Sequence, residues 1–297
     1  MYRRFNALVE QVTRMQEALG RIELRQTKLA ANISDAEFQV FSQWGEDGIL
    51  QYLIRKVDID KKIFVEFGVE NYVESNTRFL LVNNHWSGLV LDGDSENIEY
   101  IMRDPIYWAR NIQAVHAFIT RDNINQLLEK NGVTGDIGIL SIDIDGNDYW
   151  VWSEINVISP RIVVCEYNSQ FGPDAQITVP YDPSFVRDNA HYSKVYYGAS
   201  ISALTSLANS KGYSLVGGNC AGNNIFFVRN DLIEKLTVMT PRDVYRRAQF
   251  REYHDERGRL TFDSFDARSE KIAHLPVFDV RKNKLVKLHE LNLSNER

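Results

Sequence analysis

From residue 60 to residue 168, short apolar runs alternate with amphipathic stretches. The first run, Ile63-Phe64-Val65-Glu66-Phe67, reaches Gly68 and then turns polar through Asn71, Glu74, Ser75 and Asn76. The second, Trp86 to Leu91, leaves through Asp92-Gly93-Asp94, and the third covers Ile112 to Ile119. The fourth, Gly138 to Ile142, exits through Asp143-Ile144-Asp145-Gly146-Asn147-Asp148; the fifth, Arg161 to Cys165, exits through Glu166-Tyr167-Asn168. Runs this short, rich in β-branched and aromatic residues and bounded by turn residues, predict buried strands. Ser75 to Asn84, Ser95 to Met102 and the stretch from Thr120 through Glu129 carry helical patterning between them. That alternation predicts a parallel sheet with helices packed on it. Strands one, two, four and five end on carboxylates, so the carboxyl edge of the sheet is expected to be acidic.

Beyond the fifth strand, residues 169 to 199 show no period but hold Phe171, Tyr181, His191, Tyr192, Tyr196 and Tyr197. A long irregular segment inside a compact domain is usually a functional lid or a linker, and the aromatic load favours a lid. Ser202 to Ser210 reads as a helix, then Tyr213–Gly217 and Asn224–Arg229 as two strands. Their connection is too short for a helical crossover, so the pair must be antiparallel. The expected fold is therefore α/β, a doubly wound seven-stranded mostly parallel sheet with an antiparallel last strand. In the tail, Asp243 to Glu252 reads as a basic helix, and Leu275 to Leu291 has room for a short hairpin.

At the other end, Phe5, Leu8, Val12, Met15, Leu19, Ile22 and Leu29 recur at alternating spacings of three and four, with Gln26 in the one missing position. A narrow seam sustained for about four heptads, with charged flanks, predicts a coiled coil rather than a single packed helix, whose stripe is wider. Three segments follow: a coiled-coil oligomerisation helix over 1–32, a catalytic domain over 33–235 and a C-terminal extension over 236–297. The helix is expected to drive self-association.

Charge and cysteine usage narrow the partners. A net charge of −6 argues against nucleic acid, which is bound through cationic patches. No apolar run approaches the roughly 20 residues of a spanning helix, and the N-terminal residues lack the apolar core of a leader peptide. Cys165 and Cys220 form neither a CxxC pair nor a disulfide framework, so a cytoplasmic location is expected.

The candidate chemistry lies at the strand ends. A glycine after the first strand lets backbone approach a ligand in the crevice at the carboxyl ends of the strands. Asp92 follows Gly68 by 24 residues. An acid about 20 residues past such a turn accepts hydrogen bonds from ribose hydroxyls in nucleotide-binding sheets.

Five helix-separated strands followed by a hairpin resemble the class I S-adenosylmethionine-dependent methyltransferase sheet. Ser42-Gln43-Trp44-Gly45-Glu46-Asp47-Gly48, Val65-Glu66-Phe67-Gly68, Asp143 through Asp148, and Gly212-Tyr213 through Val228 look closer still to the FkbM-like O-methyltransferases. The resemblance covers roughly residues 38 to 232. It implies S-adenosylmethionine as methyl donor and a sugar, glycan or other small hydroxylated metabolite as acceptor. Glu66 and Gly68 would face the amino acid part of the donor, Asp92 its ribose and Phe118 its adenine. Gln43 would cover the edge of the cleft, and Asp143 or Asp145 would point into the reaction centre. Related sugar methyltransferases place a divalent metal at the ends of the fourth and fifth strands, where Asp145, Glu166 and Asn168 would offer oxygens to Mg²⁺. Without a metal, Asp148 and His191 are the candidate bases. One departure is Glu70, which stands where such relatives often carry a second glycine. Two rival readings keep parts of the pattern: a nicotinamide-nucleotide oxidoreductase on the same sheet, and a non-catalytic coiled-coil assembly protein.

Overall fold

The computed structural model describes residues 2–248, 250 and 253–291, with residues 2–7, 9 and 10 described by backbone alone. Its strands are β1 (Ile63–Phe67), β2 (Ser87–Asp92), β3 (Ile112–His116), β4 (Gly135–Ile142), β5 (Ile158–Glu166), β6 (Ile177–Thr178), β7 (Tyr213–Gly218), β8 (Asn224–Arg229), β9 (Pro276–Asp279) and β10 (Lys284–Lys287). Seven of them form one sheet in the order β3-β2-β1-β4-β5-β8-β7. Strands β1 to β5 are parallel, and β8 runs antiparallel between β5 and β7. This is the doubly wound, mostly parallel sheet with an antiparallel last strand expected from the sequence. Its order reverses at β1, between β2 and β4, and such a switch point opens a crevice at the carboxyl ends of the strands.

Both faces of the sheet are covered, which is why its strands read as continuous apolar runs. Side chains alternate between the faces. Val65, Phe67, Leu89, Leu91, Leu140 and Val163 pack with Val151, Trp152 and Leu204 of the helices Asp148–Glu154 and Ile201–Ser210. Phe64, Val90, Ile139, Ile162 and Phe226 point the other way, onto Ile49, Leu50 and Leu53 of helix Glu46–Lys56.

The first helix, Tyr2–Gln26, has two separate faces. Thr13, Glu17, Gly20, Leu24 and Thr27 turn toward the body. Gly20 makes the docking close: a Cβ there would lie 2.5 Å from Val40 Cγ2. Arg55 pins the end of the helix by donating to Thr27 O at 2.8 Å. The heptad seam faces outward, and Leu8, Val12, Met15, Leu19 and Ile22 are each more than half exposed. The side chain of Phe5, the first residue of the seam, lies outside the described residues. The helix stops at Gln26 and a 3₁₀ turn carries Thr27–Leu29, so the seam is shorter than its sequence pattern.

The segment expected to be a lid is anchored. Its β6 pairs with β9, and β9 with β10, in a second sheet ordered β10-β9-β6. Phe171, Ile177, Val179, Val195, Ile272, Val277 and Leu288 form the core beneath it. Residues around β9 therefore tie the 169–199 segment to the body. The basic helix expected from Asp243 to Glu252 is corrected: among the described residues of that stretch only Pro241–Val244 is helical, opened by a Thr240/Asp243 capping box. Past it, the backbone N–H groups of Arg246 and Ala248 donate to Tyr167 Oη and Ser169 Oγ, which draws the chain out of helical register. Residues 249, 251 and 252 of that stretch lie outside the described residues.

Candidate active site

At the carboxyl ends of β1, β2, β4 and β5 lies a cavity of about 740 Å³. Gln43, Glu66, Gly68, Asp92, Phe118 and Asp143, the six expected donor-binding residues, all line it. Asp145 and Glu166 line it as well.

The β1 turn is fixed by close contact. Gly68 has a φ of +67°, and a Cβ there would stand 1.7 Å from the carbonyl oxygen of Asp143. Only glycine permits both the left-handed conformation and that approach. Glu70 also has a positive φ, +46°. Its backbone thus keeps a conformation that glycine favours, and its side chain is exposed at the cavity wall.

Glu66 is buried, and its oxygens already have partners. It accepts from Ser75 Oγ at 2.7 Å, Asn76 N at 2.9 Å and Thr77 N at 3.2 Å, and also from Thr77 Oγ1. Burial raises its pKa against these bonds. Glu66 thereby ties the loop after β1 to the strand end. Asp92 does the same between loops, accepting from Glu70 N at 2.7 Å, Asp94 N at 2.8 Å and Asn97 Nδ2 at 3.1 Å. Beyond β3, Phe118 presents a half-exposed ring to the cavity.

The Ser42–Gly48 stretch works through its acids. Asp47 Oδ2 accepts from the N–H groups of Val40, Phe41 and Ser42 at 2.7, 2.6 and 2.8 Å. Burial pushes this carboxyl up to about 6 despite them. Glu46 accepts from Asn219 Nδ2 at 2.6 Å and Asn224 Nδ2 at 2.8 Å, joining the entry loop to the β7–β8 hairpin. Gln43 is left exposed at the rim.

The other half of the cavity is acidic. Carboxylate oxygens of Asp143, Asp145 and Glu166 all lie within 4.8 Å of one another. Asp145 sits at a φ of +55°, an uncommon conformation for a residue with a Cβ. Burial, then the neighbouring carboxylates, hold Asp143 and Glu166 well above the usual carboxylate range. Arg187, from the helical turn Arg187–Ala190, is ion-paired to Asp145. Its guanidinium lies 3.9 Å from the centre of the Tyr197 ring.

Three of the expected site residues have their polar atoms engaged away from the cavity. Asn168, expected as a metal ligand, donates from Nδ2 to Val195 O and Tyr197 O, and its Oδ1 caps the 3₁₀ turn at Gln170 N. Asp148, a candidate base, accepts from Ile144 N and Gly146 N at 2.9 Å each and so holds the loop after β4. Its pKa, raised to about 6 by burial, belongs to that clamp. His191, the other candidate base, is not among the cavity-lining residues; its Nδ1 bonds Ser193 Oγ and its ring packs on Tyr192. Sequence reasoning also missed wall residues. Arg187 and Lys194 come from the aperiodic segment, and His254 from the C-terminal extension. The aromatic content of 169–199 marked the segment, but nothing distinguished these cations within it.

The resemblance implies Asp145, Glu166 and Asn168 as oxygen donors to Mg²⁺. Asp143, Asp145 and Glu166 are suitable oxygen donors, but Asn168 is turned away and Arg187 already sits on Asp145. Of the three ligands implied for Mg²⁺, Asp145 and Asn168 are thus already engaged by other partners in this arrangement.

No protein-family model matches the chain, and no curated protein does. Among solved structures, it is similar to the N-terminal domain of EvdMO1 with SAH bound, at 10% identity over 70% of this chain and 95% of that one, with a TM-score of 0.42. It is also similar to an S-adenosylmethionine-dependent methyltransferase from Clostridium acetobutylicum ATCC 824, at 9% identity over 62% and 90%, with a TM-score of 0.41. At that distance the likenesses add no argument to the strand order and the antiparallel β8.

Proposed function

We propose that this chain is an S-adenosylmethionine-dependent O-methyltransferase acting on a hydroxyl of a sugar, glycan or other small hydroxylated metabolite. The observation that carries the reading is one cavity at the switch point of the sheet with two unlike halves. One half joins the Gly68 turn, Asp92 and the Phe118 ring; the other holds the Asp143, Asp145 and Glu166 carboxylates. Its volume of about 740 Å³ is in the range of small-molecule sites.

When bound, the donor supplies a methyl group on a cationic sulfur. The negative cluster favours a cation beside it. The tight turn at Gly68, braced by Glu66 and Asp92, brings backbone to the cavity wall and fixes where a ligand can lie. The acceptor oxygen must lose its proton as it takes the methyl group. Asp143 and Glu166, whose side chains line the same cavity, are the groups placed to take that proton in their ionised form. Asn147 and Asn223 on the wall offer amide partners to a polyhydroxylated acceptor.

Residues 1–32 are proposed as the association element, because the heptad seam is turned away from the body. The C-terminal extension is proposed as a support for the lid segment.

The test is transfer of labelled methyl from S-adenosylmethionine to a panel of free sugars, glycosides and small hydroxylated acceptors. Label in an O-methyl product, lost on Glu166→Gln, is expected. Label found only on nitrogen or carbon of the products contradicts the O-methyl assignment.

A further inference from the structure

Carboxylate oxygens of Asp143, Asp145 and Glu166 lie within 4.8 Å of one another, close enough that a cation beside them would relieve their mutual repulsion. We propose that the cation is the protein's own: Arg187 occupies the place a divalent metal would take, so the cluster works without one. In its application to catalysis this rests on the methyltransferase reading; the occupancy itself does not.

The guanidinium is held on three sides. It pairs with Asp145. Its Nε donates to Lys194 O at 3.0 Å, which fixes the plane of the group. Its face lies over the Tyr197 ring at 3.9 Å. Tyr197 in turn donates toward Glu166 Oε1 at 3.5 Å, so aromatic ring, arginine and two of the acids form one assembly. The Arg187 side chain is only 12% exposed, while its partner Asp145 is half exposed toward the cavity. Arginine stays protonated under any folding condition, and a planar guanidinium suits both carboxylate pairing and ring stacking. The turn that carries Arg187 lies between β6, which pairs with β9, and Val195, buried in the core beneath that sheet; the cation is thus part of the fold.

A metal at the cluster would have to coordinate Asp145 while a fixed positive charge sits on the same carboxylate. Removing that charge should leave three close acids with no cation, which is a binding site for a hard ion. Arg187 is therefore a positioning residue with a chemical consequence: it sets which cation the centre uses.

The test is binding of Mn²⁺ alone, followed by electron paramagnetic resonance on full-length protein without donor or acceptor. Wild type and Arg187→Lys are expected to leave Mn²⁺ free. Arg187→Gln is expected to bind one ion at least tenfold more tightly, and Arg187→Gln with Asp145→Asn to lose it again. Wild type binding one Mn²⁺ ion, with the signal lost in Asp145→Asn, overturns the proposal and needs no Arg187 variant to fold. Folded Arg187→Gln, checked by its thermal transition, that gains no Mn²⁺ also overturns it. Because no donor is present, the result is independent of whether the chain transfers methyl groups. S-adenosylhomocysteine binding, measured separately, decides that question.

Discussion

The backbone N–H of Glu70 donates to Oδ2 of Asp92 at 2.7 Å, joining the loops that leave β1 and β2. Asp92 is thus engaged by the protein before any ligand arrives, and Glu70 keeps a left-handed backbone so that its N–H can reach it. Charge-assisted bonds of this kind contribute about 1.5–3 kcal/mol each. Asp92→Ala is expected to loosen both loops and weaken S-adenosylhomocysteine binding at least tenfold, read by calorimetry. Unchanged affinity would show that the two loops are held by other means.

Glu70→Gly should have the opposite character. The left-handed conformation costs a residue with a Cβ about 1–2 kcal/mol, which glycine avoids. Thermal unfolding of Glu70→Gly is expected at or above the wild-type temperature, with ligand affinity retained. A marked drop in either would mean that the exposed carboxylate takes part in the site.

Gly68→Ala should be severe. Its Cβ would meet the Asp143 carbonyl at 1.7 Å, on a backbone with a φ of +67°. Overpacking alone costs about 1–3 kcal/mol, with the strained backbone additional. Denaturant titration should show that loss, and ligand binding should fall with it because Asp143 must move. A wild-type denaturation midpoint would contradict the packing described.

The buried acids give stability a pH signature. Burial pushes the Asp47 carboxyl up to about 6 in the folded state, from an ordinary aspartate value of about 3.9. A carboxyl raised in this way binds its proton more tightly folded than unfolded. Its contribution is therefore full below about pH 4 and lost as the pH rises through about 6, a change on the order of 3 kcal/mol. Asp148 adds a second contribution of the same sign. Unfolding free energy measured from pH 4 to 7 should decline, and Asp47→Asn should reduce that slope. A slope unaltered by Asp47→Asn would contradict the assignment.

The outward seam of the first helix can be separated from its inward face by mutation. Leu19→Glu should abolish self-association, seen as a fall in mass by sedimentation, while leaving ligand binding intact. Gly20→Val should instead disturb docking on the body, since Val40 leaves no space for its side chain. A mass unchanged by Leu19→Glu would remove the coiled-coil reading.

What could be read from the sequence was what has a period or a turn signature. The buried strands announced themselves as apolar runs, and the turn at Gly68 as an acid-x-glycine exit. Their common cavity followed from strand order. Hydrogen-bond partners leave no such trace. Glu66, Asp148 and Asn168 look alike in sequence to groups that meet a ligand, yet their polar atoms are satisfied by nearby loop atoms. His191 was attractive only as a histidine in an aromatic segment. Arg187 was invisible because its position depends on β6 pairing with β9, about a hundred residues apart in the chain. The seam of the first helix was legible, but the second stripe of Gly20, Leu24 and Thr27 that docks it was not, being small and partly polar.

The most direct test of the account is calorimetry on the full-length protein with S-adenosylhomocysteine and, separately, NAD. One saturable S-adenosylhomocysteine site, weakened by Asp92→Ala, and no NAD binding is the predicted result. NAD binding in this cavity with none of S-adenosylhomocysteine would contradict it.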